Sequence, residues 1–365
     1  MAIRIESTPK ADGYRMPGEF EPQKQIFMIW PERPDNWRDG GKPAQKAFAR
    51  VAEAIQHFEP VTMLASFGQY QTARNMLSGG IRVVEMSNND AWVRDCGPTF
   101  VVDDKGHTRG IDWEFNAWGG LVDGLYFPWD RDNQIARKIC ELEGIDTYHT
   151  DGFVMEGGSI HSDGQGTAMT TEMCLLSRGR NPSLSKKQIE SMLMEYLNVQ
   201  KVIWLKDGID PQETNGHIDD VACFVRPGEV ACIWTDDMEN PFYTTCHEAY
   251  QTLSVAEDAM GRKLKVHKLS MPKKQVAIGS DFAIDSVEGT IPRMKGDICI
   301  ASYMNFLLVN DGVIVPQYGD TNDKLALKEI QEMFPERKVV GVDTREIVYG
   351  GGNIHCITQQ QPSGK

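Results

Sequence analysis

The stretch Ser183-Leu184-Ser185-Lys186-Lys187-Gln188-Ile189-Glu190-Ser191-Met192-Leu193-Met194-Glu195-Tyr196-Leu197, followed shortly by Lys201-Val202-Ile203-Trp204-Leu205, carries the pattern from which the fold is read. Ile189, Met192, Leu193, Tyr196 and Leu197 recur every three or four positions and share one face of a helix. Ser183 stands where a helix N-cap is expected. Lys201–Leu205 is a short β-rich run. The same pair recurs as Pro43–His57 before Val61–Ala65, Asp132–Glu143 before Thr147–His149, Thr244–Met260 before Leu264–Leu269, and Asp323–Phe334 before Val339–Val342. Thr321 and Asn322 offer caps for the last helix.

Between the pairs lie apolar runs broken by turn residues. Pro98–Val102 leads into Asp103-Asp104-Lys105-Gly106, and Val221–Val225 into Arg226-Pro227-Gly228. Phe306–Val309 leads through Asn310-Asp311-Gly312 to Val313–Val315. These read as hairpins. An ordinary α/β domain imitates two such units by chance, but five in a row, each of about 70 residues, indicate a repeat. The expectation is an α/β protein made of one domain over residues 1–365. Five pseudo-symmetric ββαβ modules would close around an axis, with helices outside and loops converging on a central active site.

Composition narrows the function classes. The 365 residues are 41% apolar and 25% charged, normal for a chain with a real core. The formal net charge of −14 speaks against nucleic acid, whose phosphates need a basic face. It favours cationic ligands, although it also simply keeps a protein soluble. Met1 to Tyr14 lacks the apolar stretch of a signal peptide, and no apolar run approaches the roughly 18 residues of a membrane span. The expected location is cytoplasmic, with no membrane partner. Of the eight cysteines none forms a C-x-x-C pair, so most are expected to be small buried hydrophobes.

Four motifs stand out. Gly350-Gly351-Gly352-Asn353-Ile354-His355-Cys356 sets a cysteine after glycines that let the backbone turn and a ligand approach closely, as at Gly351. Alone, it equally describes a glycine turn beside a buried cysteine. In Asn215-Gly216-His217-Ile218-Asp219-Asp220, an extended chain would put His217 and Asp219 on one face as proton carrier and cation clamp. Trp92-Val93-Arg94-Asp95 offers an aromatic face and a carboxylate to a cation. Met155-Glu156-Gly157-Gly158-Ser159 exposes a carboxylate between small residues. Each alone also fits a plain structural turn. All four fall at comparable points of different units, so a ring would aim them at one centre. No phosphate-cradling loop or metal-ligand spacing is present, and neither metal nor organic cofactor is expected.

A thiol among three carboxylates suits a cation. Guanidinium is planar and fits carboxylates bidentately. Thiolate attack on its carbon, proton donation by His217 to the departing nitrogen, and hydrolysis of the amidino-thioether would leave a urea.

These motifs, with Asp12-Gly13-Tyr14-Arg15-Met16-Pro17, Glu19-Phe20-Glu21-Pro22, Trp30-Pro31, Asn89-Asp90-Ala91 and Glu213-Thr214, carry a resemblance over nearly the whole chain. The chain resembles the agmatine deiminase family of the guanidine-modifying (pentein) superfamily. The resemblance implies a five-bladed α/β propeller and hydrolysis of agmatine to N-carbamoylputrescine and ammonia. It implies Cys356 as nucleophile, His217 as general acid/base, Asp95 and Asp219 as guanidinium clamps, and Glu156 as the acid that orients His217. It also implies a homo-oligomer, dimer or tetramer. Glu213 is the candidate for the distal amine, and Trp92 or Trp118 for packing on the substrate chain. An arginine-type deiminase or amidinotransferase would use the same catalytic set, and a non-catalytic propeller would bind without it.

Overall fold

The computed structural model describes residues 2–210, 212–280 and 282–364. Met1 and Lys365, the ends of the expected domain, lie outside the described residues. The protein is a mixed α/β fold. Among the described residues, five sheets share one construction: an antiparallel strand pair, a helix, then a strand parallel to the second of the pair.

In the stretch quoted first, His161–Ser162 pairs antiparallel with Thr167–Thr171, and Thr167–Thr171 runs parallel to Lys201–Leu205 after the helix Lys186–Leu197. Ala222–Arg226, Glu229–Trp234, the helix Tyr243–Val255 and Lys265–Ser270 repeat the arrangement. So do Leu307–Val309, Gly312–Gln317, Asp323–Met333 and Lys338–Asp343. Thr99–Val102, Thr108–Glu114, Ile135–Glu143 and Thr147–Val154 make another, with Arg4–Ile5 added on its edge. The last joins the two ends of the chain. Thr358–Pro362 pairs antiparallel with Gln23–Ile29, which runs parallel to Val61–Ala65 across the helix Lys42–Gln56. Arg82–Glu85 extends that sheet.

The helix faces follow the periodicity. Ile189, Leu193 and Leu197 are fully buried in one apolar cluster with Tyr148 and Ile111, while Met192 and Tyr196 flank them half-buried. Truncating such a side chain costs about 2–5 kcal/mol. Two further apolar clusters fill the rest, and the one containing Phe27 and Phe48 also takes Ile354 and Ile357, so the chain ends share a core.

Local details differ from expectation. The cap of the helix at 186 is Ser185, not Ser183: its side chain accepts from Gln188 N–H while Gln188 Oε1 accepts from Ser185 N–H, a reciprocal capping box. Asn322 occupies the N-cap before Asp323 but makes no capping bond, because its Nδ2 donates to Met271 O at 2.8 Å. The helix expected to reach Met260 stops at Val255, where Asp258 Oδ1 gathers the N–H groups of Met260 and Arg262 into a turn. Among the described residues, no helix is long and apolar enough to cross a membrane.

Candidate active site

Just before the antiparallel pair of each of the five units the chain makes a short turn, and four of these turns carry candidate residues. Val93–Cys96 is one helical turn holding Asp95. Glu156 enters the 3-10 turn Gly157–Ser159. His217 enters the 3-10 turn Ile218–Asp220. The Ser302–Asn305 turn precedes Leu307–Val309. Cys356 lies in the turn closed by Ile357 N–H to Asn353 O, ahead of Thr358–Pro362. The segment of His217 and Asp219 is therefore not extended. The two side chains face each other because the chain coils there, with His217 Nδ1 4.0 Å from Asp219 Oδ1.

Cys356, Asp95, Trp92, Trp118, Glu213 and Gly351 line one cleft of about 780 Å³, counted to its open mouth. His217, Glu156 and Asp219 do not line it but adjoin those that do. Asp219 Oδ2 is 3.6 Å from the Cys356 sulfur. His217 Nδ1 is 3.8 Å from Asp95 Oδ1, and His217 Nε2 is 3.8 Å from Glu156 Oε2. Gly158 packs among them: a β-carbon there would lie 2.6 Å from His217 Nδ1 and 2.9 Å from Asp219 Oδ2. Gly351 adopts φ +111, a left-handed conformation that favours glycine.

Asp95 is held at both oxygens, whereas Glu156 and Asp219 are each anchored at one. Asp95 accepts from Gly158 N–H at 2.9 Å and from Trp118 Nε1 at 2.8 Å. Glu156 Oε1 accepts from Arg180 Nε at 2.8 Å. Asp219 Oδ2 faces His355 Nδ1 at 2.9 Å. The remaining Glu156 Oε2 and Asp219 Oδ1, and both ring nitrogens of His217, are buried and make no hydrogen bond among the described residues. Buried polar atoms are normally paired, so four such atoms on three neighbouring residues mark a place for a polar ligand.

Burial pushes the Cys356 thiol well above its ordinary range, and the charges of Asp219, Asp220 and Asp95 push it further. Burial pulls His217 down, but Asp95, then the neighbouring Cys174 and Glu156, outweigh it and hold the imidazole well above its ordinary value. Burial raises Asp95 against the opposing pull of His217. Burial alone would raise Glu156 too, yet Arg180 brings it below the ordinary carboxylate value. The surroundings thus favour the imidazolium form of His217 and the neutral form of the Cys356 thiol, and an arriving cation would favour the thiolate.

The aromatic residues do more than pack. Trp92 donates Nε1 to Asp90 at 2.9 Å and stacks on Trp37, with centroids 5.3 Å apart. Trp118 meets Trp92 edge-on while its N–H orients Asp95. Glu213 Oε1 is paired with Arg293 at 2.9 Å.

Several participants had no local sequence signal. Asn305 donates Nδ2 to the Cys356 sulfur at 3.1 Å. Arg180 and the pair Arg94–Glu19 balance buried acids. Cys174 lies with Glu156 and His217, their ligand atoms within 4.8 Å of one another. Ile291, Pro292 and Arg293 reach the cleft from the segment between the two-stranded pair Val276–Ala277 and Ile298–Cys299. Glycine-flanked acids were visible in the sequence; these partners, drawn from other units, were not. As for metals, Glu19–His161–His355, Glu156–Cys174–His217 and Asp219–Asp220–Cys356 each bring three ligand atoms within 4.8 Å. In the first two a divalent ion would compete with Arg94 or Arg180 for the same carboxylate.

A family model described as Porphyromonas-type peptidyl-arginine deiminase matches residues 15–362. The chain belongs to that family. Among members of the Porphyromonas-type peptidyl-arginine deiminase family and their relatives, it is 57% identical over 359 residues to an agmatine deiminase of Pseudomonas aeruginosa (strain LESB58), covering 98% of each chain. The solved agmatine deiminase of Enterococcus faecalis is 67% identical with a TM-score of 0.98, over 99% of each chain. An agmatine deiminase of C. jejuni, at 24% identity, shares the fold with a TM-score of 0.81 over 95% of this chain and 96% of that one.

Proposed function

We propose that this chain hydrolyses agmatine to N-carbamoylputrescine and ammonia. The observation that carries the reading is the convergence of Cys356, His217 and three acids, with ligand-ready atoms on Glu156, His217 and Asp219. Its full-length similarity to agmatine deiminases supports the choice of substrate.

Asp95 and Asp219 grip the guanidinium, whose positive charge stabilises the Cys356 thiolate, and the thiol proton passes to solvent. The thiolate forms a bond to the guanidinium carbon. His217 gives its proton to a terminal nitrogen, the carbon–nitrogen bond breaks, and ammonia leaves an amidino-thioether. Neutral His217 then takes a proton from water as the oxygen bonds to the same carbon. The carbon–sulfur bond breaks, the remaining hydroxyl proton passes to the departing sulfur, and a urea and the Cys356 thiol result. Glu156 orients His217 throughout and favours its protonated form at the start of each cycle. Trp92 and Trp118 flank the alkyl chain and Glu213 takes the distal amine, shared with Arg293. The five similar units and their shared terminal sheet support a five-bladed propeller with this centre, forming one catalytic domain.

Arginine is the competing substrate. Arg33 and Arg293 line the cleft, each paired with a carboxylate, Arg33 with Asp35 at 2.9 Å and Arg293 with Glu213 at 2.9 Å, so an α-carboxylate would have to compete with Asp35 or Glu213 for them. The test offers agmatine, arginine and peptidyl-arginine separately and measures ammonia release. Acid-quenched enzyme is then digested and the Cys356 peptide weighed. Agmatine turnover with an amidino adduct on that peptide supports the reading; preference for arginine ends it.

A further inference from the structure

Behind Asp219 lies a buried chain of charged groups that the reaction above does not use. His355 Nδ1 is 2.9 Å from Asp219 Oδ2, and His355 Nε2 is 2.8 Å from Glu19 Oε1 and 3.1 Å from Glu19 Oε2. Arg94 Nη1 lies 3.3 Å from Glu19 Oε1, and its Nε donates to the His355 carbonyl at 3.2 Å. All four residues are at most 6% exposed.

A neutral imidazole has one N–H and one lone pair, whereas an ionised carboxylate only accepts. A neutral His355 would therefore press a lone pair against a carboxylate oxygen on one side. A doubly protonated ring donates to both. Charge balance agrees: Glu19 and Asp219 supply two negatives, Arg94 and His355 two positives, which is how buried charges persist. The neighbouring His161 does not upset this count. Its Nδ1 accepts from Phe224 N–H at 3.3 Å, which leaves its N–H on Nε2, 3.6 Å from Glu19.

We propose that His355 is held as an imidazolium bridging Glu19 and Asp219, and that it is the positioning residue which anchors Asp219 Oδ2. This directs Asp219 Oδ1, the oxygen without a partner, toward substrate. It also offsets the Asp219 charge beside the Cys356 sulfur. The kinetic part of the proposal rests on the agmatine reading; the protonation state does not.

Nitrogen-15 spectra of the full-length enzyme carrying labelled histidine test it directly. The expected result at about pH 8 is that both His355 nitrogens, assigned by their loss in His355→Gln or His355→Asn, resonate as protonated; a single unprotonated nitrogen overturns the proposal. Glu19→Gln, which removes one carboxylate, is expected to return the ring to a single proton. In kinetics, His355→Asn keeps a donor near Nδ1 and His355→Gln keeps one near Nε2, and neither keeps the charge. Without the cation both Asp219 and the Cys356 thiol lose stabilisation of their ionised forms. The acidic limb of kcat/KM for agmatine should therefore move up by about one pH unit or more in both variants. The fall in kcat should be larger for Gln than for Asn. A lower active fraction with an unmoved pH profile would mean a merely structural histidine. Should the wild type fail to act on agmatine, the agmatine reading falls, while the spectra still decide the state of His355.

Discussion

The side chain of Asn305 holds Cys356 at two points: Nδ2 donates to the sulfur at 3.1 Å, and Oδ1 accepts from the Cys356 N–H at 3.3 Å. Its Nδ2 also lies 3.0 Å from Asp220 Oδ1. Asn305→Ala would free the sulfur from its fixed approach and strip Asp220 of a donor. Losing such hydrogen bonds costs about 1–3 kcal/mol, so kcat for agmatine should fall about ten- to a hundredfold. KM should change far less, since Asn305 does not line the cleft. Steady-state kinetics decide it; an unchanged kcat would remove Asn305 from the machinery.

Asp219 sits 3.6 Å from the same sulfur and is among the charges that push the thiol up. Asp219→Asn should therefore shift the pH dependence of Cys356 alkylation to lower pH while nearly abolishing turnover. The modified Cys356 peptide, quantified by mass, reports the rate free of the other seven cysteines, all buried. In the wild type an inert guanidinium compound should lower the pH at which the thiol ionises. Rapid alkylation of the empty wild type at about pH 6 would contradict the neutral thiol.

Glu213 reaches the cleft from a loop, paired with Arg293. If it takes the distal amine, Glu213→Gln removes a charge-assisted bond worth about 1.5–3 kcal/mol, and KM for agmatine should rise about ten- to a hundredfold with a smaller change in kcat. Titrating agmatine against both enzymes reads this, and an unaltered KM would send the amine elsewhere.

Glu59 is buried, with one oxygen accepting from Asn310 N–H at 2.9 Å and the other unpaired. Burial raises it from an ordinary 4.5 to about 7, with Asn310 opposing. The folded form thus binds a proton more readily than the unfolded one between those values. Stability is greater below this window and declines as pH rises through it. Asp112 and Asp132, also raised to about 7 by burial, act in the same direction. The melting temperature should be higher at about pH 5.5 than at about pH 8, and Glu59→Gln should narrow the gap. Thermal unfolding across that range checks it; a wild-type Tm that rises from pH 5.5 to 8 would refute it.

Local periodicity was enough to place Val61–Ala65 and Lys201–Leu205 at their observed bounds, and to find the five helices near theirs, because alternation and helical spacing report which faces are buried. It was less able to choose between Ser183 and Ser185 as a cap, or to see that His217–Asp219 coils, since those choices turn on single hydrogen bonds. The cysteine, the histidine and the acids could be named from the sequence because glycines and turns beside them are unusual there. That Asp219 and Cys356, 137 positions apart, meet at 3.6 Å was decided by the packing of separate units. So were Asn305 on the sulfur, Arg180 on Glu156, and Glu19 with Arg94 behind His355. A buried charge accepts whichever partner the tertiary fold brings within reach, and no local pattern encodes that choice.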